Sequence, residues 1–334
     1  MEEAVKIVQE IKKGNIKPIY FLMGEEPYYI DKISDFIENS LLTEEEKGFN
    51  QMVLYGRDTS IEDIVSNARR YPMMAERQVI IIKEAQDLVK TIDKLETYTE
   101  NPQVTTTLVF CYKYKSIDKR KKLYKALSKT GVLFDGKKLY ENQVPAWIQK
   151  TLKGRDYQIS LKAAQMLVEF LGTDLSKIDN ELQKLQLVTP AGSTITPELI
   201  EENIGISKDF NNFELRKAVG EKDDVKAHRI INYFAQNQKD NPMVVTVSLL
   251  YGFFAQILQY HGLTDKSKAN VAKYLKVHPF FVQDYITAAG NYPMKKASYA
   301  IGYLREADVK GKGVGAAGTP PGDLLKELLV KIMR

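Results

Sequence analysis

The stretch that opens at Gly24 lies where a phosphate-binding loop would be. A strand-like run, Ile19-Tyr20-Phe21-Leu22, leads to a glycine, and a helix follows from Pro27. Such a loop needs Gly-x4-Gly-Lys-Ser/Thr, so that backbone N–H groups cradle phosphates, the lysine neutralises them and the hydroxyl holds magnesium. The chain reads GEEPYYIDK instead: Tyr29 stands at the second glycine, Ile30 at the lysine and Asp31 at the hydroxyl. Glu25 and Glu26 would face a triphosphate, each unfavourable by roughly 1 to 3 kcal/mol at about 5 Å with an effective dielectric near 20 or higher. The acidic pair that would hold magnesium after a buried strand is replaced by Lys83-Glu84. The components of ATP hydrolysis are absent, and the chain is expected to carry no catalytic residue, no cofactor and no metal.

Other chemistries lack their residues too. Cys111 is the single cysteine and sits in the apolar run Leu108-Val109-Phe110, as a buried thiol would. It cannot form an internal disulfide, and with His228, His261 and His278 it has no zinc-ligand spacing. No Ser-His-Asp order, paired strand-end carboxylates or Gly-x-Gly-x-x-Gly is found. Lys310-Gly311-Lys312-Gly313-Val314-Gly315 looks like a phosphate loop, but it follows a helix and lacks Lys-Ser/Thr, so it reads as a flexible loop.

Two stretches point to binding. Lys113, Lys115, Lys119, Arg120, Lys121 and Lys122 form the densest basic cluster, interleaved with Tyr112, Tyr114 and Tyr124. It could meet nucleic-acid phosphates, face an acidic neighbouring subunit, or simply be solvated. In SNARRYPMMAERQVIIIKEAQDL, residues 66–88, a polar helix end meets Pro72, which stops the helix. Met73 and Met74 follow, then a small polar patch and the β-branched run Val79-Ile80-Ile81-Ile82, which suits a strand buried on both faces. The methionines therefore lie on a turn between a surface helix and a central strand. Flexible, polarizable side chains there can tuck under the sheet edge as core or serve as a partner-docking plug.

The elements that position these stretches follow from periodicity. Strands are expected at 19–22, 51–55, 79–82, 105–110 and 132–134, alternating with helices at 2–13, 28–42, 60–70, 87–99 and 118–129, which implies a parallel sheet covered on both faces. After Tyr140 strands almost vanish. Helices are expected at 144–152, 160–171, 175–187 and 196–203, with a joint at Ile206-Ser207-Lys208-Asp209. Further helices run to Met333, interrupted by a Gly-, Ala- and Pro-rich loop at 311–322. The fold class is α/β plus all-α.

At 334 residues two or three domains are expected. The apolar share of 44% and charged share of 27% are those of an ordinary globular protein. No apolar run approaches the roughly 18 to 20 residues that span a bilayer, and the N-terminus is amphipathic rather than a signal peptide, so no membrane is expected and the compartment reads as cytoplasmic. A net charge of +5 is compatible with anionic partners.

Several stretches in order, PIYFLMGEEPYYIDK, YPMMAERQVIIIKEAQDL, TTLVFCYKYKSIDKRKKLYKAL, LGTDLSKIDNELQKL and ADVKGKG, resemble the delta subunits of bacterial DNA polymerase III. The likeness covers nearly the whole chain. It implies a RecA-like AAA+ domain over 1–140 without a working nucleotide site, a helical lid over 141–209, and a C-terminal helical collar over 210–334. It also implies partners: the sliding clamp (beta subunit), the delta-prime and gamma/tau subunits in a hetero-pentamer, and primed DNA in the assembled complex. In that family a hydrophobic pair before the third strand contacts the clamp, which falls here on Met73 and Met74 beside Pro72, where a leucine–phenylalanine pair is more usual.

The alternatives are another clamp-loader subunit, an active P-loop ATPase with an irregular loop, or a free-standing DNA-binding adaptor. A delta-prime subunit would carry a Ser-Arg-Cys motif and zinc-binding cysteines, which this chain lacks.

Overall fold

The computed structural model describes residues 2–315 and 318–334, and the chain divides into two compact units, 1–139 and 140–334. Met1, and Ala316 and Ala317 of the expected loop, lie outside the described residues.

The first unit runs α1 (Glu2–Lys12), β1 (Ile19–Gly24), α2 (Pro27–Ser40), α3 (Glu44–Asn50), β2 (Gln51–Tyr55), α4 (Ile61–Ala68), β3 (Gln78–Lys83), α5 (Glu96–Thr99), β4 (Thr106–Lys113), α6 (Lys122–Thr130) and β5 (Val132–Gly136). The strands lie in the order β2-β3-β4-β1-β5, and every neighbouring pair is parallel. Parallel neighbours need crossovers, and crossover helices cover both faces, so the central strands carry apolar residues without alternation. β1 is buried throughout, and β4 is buried from Thr106 to Tyr112. On one face Phe21 stacks on Phe110, centroids 5.5 Å apart, amid Ile80, Ile82, Ile64 of α4 and Leu127 of α6. α2 packs against β1, β4 and β5 through a helix that buries Ile30, Ile33 and Ile37. Cys111 is buried in β4, and burial pushes its thiol up to about 11, so it stays protonated at neutral pH.

The local differences from the sequence reading have local causes. α3 was not expected. It is short, but Thr43 and Glu46 close a reciprocal capping box at its start. The helix expected over 87–99 is two 3₁₀ turns, Ala85–Leu88 and Ile92–Leu95, and the single turn of α5, entered through a left-handed Glu84. α6 begins at Lys122, four residues later than expected, because Asp118 accepts from Arg120 N–H and holds an open turn.

The second unit comprises α7 (Val144–Lys153), β6 (Gln158–Ile159), α8 (Leu161–Leu171), α9 (Leu175–Val188), β7 (Thr194–Ile195), α10 (Pro197–Ile204), α11 (Asn212–Glu221), α12 (Asp224–Gln236), α13 (Met243–His261), α14 (Lys268–Leu275), α15 (Val282–Asn291), α16 (Met294–Gly311) and α17 (Pro321–Met333). β6 and β7 pair in parallel as a two-residue ladder, too short for periodicity to reveal. A continuous core from Phe213 to Ile332 joins α11 through α17. α13 departs from the expectation that no segment suits a bilayer: its 19 residues, mean hydropathy 1.5, are long and apolar enough by composition. Met243, Val247, Leu250, Phe254 and Ile257 of that helix form one stripe that packs into the core, while Val244, Val245 and Tyr251 on its other side are exposed.

Candidate functional site

In a parallel sheet all strands start at one edge and end at the other. Gly24 ends β1, and the Met73–Met74 turn precedes β3, so the two sequence candidates occupy opposite edges of the sheet.

At the C-terminal edge the loop after β1 is closed by its own chain. Gly24 N–H donates to the Lys115 carbonyl at 2.9 Å and Glu26 N–H to the Gly136 carbonyl at 3.0 Å. Glu26 is buried and caps α2, its carboxylate accepting Tyr28 N–H at 3.1 Å. A resident carboxylate thus occupies the helix N-terminus that would attract a phosphate. Gly24 (φ +121°) lies so close to Gly136 that a Cβ there would come within 2.3 Å of the Gly136 carbonyl. Tyr29 is buried edge-on to Tyr28 and Phe134, and Ile30 is wholly buried, so neither position faces a ligand. Glu25 alone of the loop's acids is exposed.

Asp31 is turned to another use. Lys113 Nζ lies 2.9 Å from Asp31 and 3.0 Å from Glu84. Burial by itself disfavours the Lys113 ammonium, but the hydrogen bonds and charges of Asp31 and Glu84 outweigh it and hold the pKa above the ordinary lysine value. Lys83 is likewise paired, 3.3 Å from Asp35 and 3.0 Å from Glu38. The residues standing where magnesium ligands would be are committed to ion pairs. Among the described residues no group of three or more His, Cys, Asp or Glu side chains is placed to hold a metal ion.

The basic cluster separates into three kinds of residue. Lys113 belongs to the ion-pair network and its side chain is only 13% exposed. Arg120 is bonded to Asp118, and Lys121 lies 2.6 Å from Asp93. Lys115, Lys119 and Lys122 are exposed, and among the described residues they have no ion-pair partner. The lysine-glycine run at 310–315 does not form a loop over its whole length. α16 extends through Gly311, and Lys310 lies 2.7 Å from Glu306 and 3.1 Å from Glu327.

At the opposite edge Met73 is 61% exposed and Met74 fully so, with Tyr71 exposed beside them and Pro72 half-buried. Met74 has φ +54°, the left-handed region that non-glycine residues rarely enter. The stem of the turn is pinned by two side chains that sequence reasoning did not single out. Gln78 donates to the Asn67 and Arg70 carbonyls and to Thr106 Oγ1, at 3.1, 2.6 and 2.8 Å. Buried Asn50 bonds both backbone polar groups of Met73. Neither contact has a sequence signal, since each joins residues far apart in the chain through an unremarkable amide. Ser60, a residue type suited to helix starts, caps α4 by accepting Asp63 N–H at 3.1 Å.

Comparison with known proteins follows the same division of the chain. Residues 20–137 match the family described as DNA polymerase III, delta subunit, and residues 209–318 match the DNA polymerase III delta subunit, C-terminal domain. The DNA polymerase III subunit delta of Bacillus subtilis (strain 168) is 27% identical over 286 residues, 82% of each chain. The solved structure of the Bacillus subtilis DNA clamp loader delta protein superposes with a TM-score of 0.60 at 24% identity, over 99% of both chains, and so shares the fold. Matched at both ends by one family and along most of its length by a relative of that name, the chain belongs to the DNA polymerase III delta-subunit family.

Proposed function

We propose that this chain is the clamp-opening subunit of a bacterial clamp loader. In this reading it binds the sliding clamp through Met73 and Met74 and holds one interface of the ring open, so that the ring can be placed on primed DNA. The observation that carries the reading is the exposure of two adjacent methionines on a turn whose backbone is pinned, with Met74 in a left-handed conformation. Exposed apolar side chains on a fixed backbone suit docking, because little ordering cost remains. Burying both is worth roughly 3 to 6 kcal/mol in transfer terms, before ordering costs. A ring interface that rarely opens can be held open by a protein that binds its open form better.

The first unit then serves as an AAA+-like, RecA-like domain that has lost nucleotide chemistry. The closed loop at Gly24, the buried cap Glu26 and the Lys113 ion pairs support that reading. Residues 141–209 act as the lid and 210–334 as the collar that joins delta-prime and gamma/tau subunits in a cytoplasmic hetero-pentamer. Lys115, Lys119, Arg120, Lys121 and Lys122 are the candidates for DNA or subunit contact. The deciding experiment is clamp binding by the isolated chain with Met73 and Met74 both changed to alanine. Affinity should fall by about a hundredfold or more, and undiminished affinity would remove the turn from the interface.

A further inference from the structure

The turn that carries Met73 and Met74 is held by a residue from another element. Asn50, at the end of α3, is 4% exposed. Its Nδ2 donates to the Met73 carbonyl at 2.9 Å and to the Glu46 carbonyl at 3.1 Å. Its Oδ1 accepts Met73 N–H at 2.6 Å. One side chain thus satisfies the donor and an acceptor of Met73, as a neighbouring strand would, across 23 residues of sequence. A buried amide with three satisfied bonds has one arrangement, so it fixes the backbone while the methionine side chains stay in solvent. The residue before it, Phe49, is 76% exposed. A large ring in solvent next to a buried anchor adds an apolar group within one residue of the joint between α3 and the turn.

We propose that Asn50 is the positioning residue of the Met73–Met74 turn, and that Phe49 is a third apolar contact to the same partner. The inference rests on the reading of this turn as clamp-binding, and it extends the contact from one segment to two. Without Asn50 the turn samples several backbone conformations and only a fraction is competent to dock, which lowers apparent affinity by that fraction. Phe49 acts by direct contact, so its removal leaves the turn ordered.

The test measures clamp binding by the full chain alongside amide hydrogen exchange at Met73. Asn50→Ala is expected to lower affinity about tenfold and to abolish protection of the Met73 amide. Asn50→Asp, which keeps the acceptor and loses the donor, should fall between the two and guards against a folding failure of the alanine variant. Phe49→Ala should lower affinity about tenfold with Met73 protection unchanged. In a chain that already carries Met73→Ala and Met74→Ala, Asn50→Ala should have no further effect on clamp binding. An equal loss in that background, or normal affinity in Asn50→Ala despite lost protection of the Met73 amide, would overturn the positioning role. Normal affinity in Phe49→Ala would overturn the third contact. If the methionine substitutions themselves leave binding intact, the reading of the turn fails, and that result is distinct from either of these.

Discussion

Lys113 and Asp31 form an ion pair, Nζ to Oδ1 2.9 Å, between the end of β4 and the first turns of α2. Glu84 completes the triad at 3.0 Å. The pair ties together the sheet edge where a nucleotide would lie in an active ATPase. Lys113→Ala would leave two carboxylates facing each other, half-screened by solvent. The expected destabilisation is about 1 to 3 kcal/mol, read as a lower denaturant midpoint with unchanged slope. A variant as stable as the parent would show that the triad is only decorative.

Restoring the letters of a phosphate loop should not restore its function. Tyr29→Gly with Ile30→Lys and Asp31→Thr supplies the missing residues, but Glu26 still caps α2 and the Gly24 and Glu26 amides still bond to Lys115 and Gly136. The triple variant is expected to be destabilised, since it deletes a buried ring and breaks the Lys113 pair. Titration with fluorescent ATP and magnesium should give no saturable signal for variant or parent. Saturable binding by the parent would contradict the closed-loop description directly.

The division of the basic cluster predicts different behaviours for neighbouring lysines. Lys115→Ala, Lys119→Ala and Lys122→Ala together remove three exposed charges. If this surface meets DNA in the assembled loader, the slope of log affinity against log salt should fall by about 2 to 3 units, with no change in stability. Lys113→Ala should leave the slope untouched while lowering stability. A triple variant with the parental salt slope would assign the surface to solvent or to another subunit.

The pattern of strands and helices was legible because a parallel sheet writes itself as apolar runs, and GEEPYYIDK was legible because a phosphate loop is defined by local letters. Lys113 shows where legibility stopped. In sequence it is one of six clustered cations, and only the fold brings Asp31 and Glu84 to it from 82 and 29 residues away. Glu26 appeared as a repulsive charge and is instead a buried cap, because its role depends on where α2 begins. Met73 and Met74 stood open between core and surface, since methionine is at home in both. They are exposed on a turn whose stem is bonded by Asn50 and Gln78, contacts that no periodicity encodes.

Glu169 gives the second unit a pH dependence of stability. Its side chain on α8 is 8% exposed, with Arg216 of α11 at 3.5 Å. Burial pushes its carboxyl up to about 7, against the pull of Arg216 and with Glu141 and Glu214 adding repulsion. The guanidinium of Arg216 also lies over the Phe213 ring at 5.2 Å. The unfolded chain releases this proton near the ordinary glutamate value of 4.5. Between about pH 4.5 and 7 the folded state therefore binds more protons than the unfolded one, and stability falls as pH rises. The contribution is fully present below about 4.5 and lost above about 7. Glu169→Gln, neutral at every pH, should remove that slope and be more stable than the parent at pH 8 by about 1 to 3 kcal/mol, with little difference at pH 4.5. Denaturation curves across this range decide it, and a variant whose profile runs parallel to the parent's would mean that Arg216 keeps Glu169 ionised throughout.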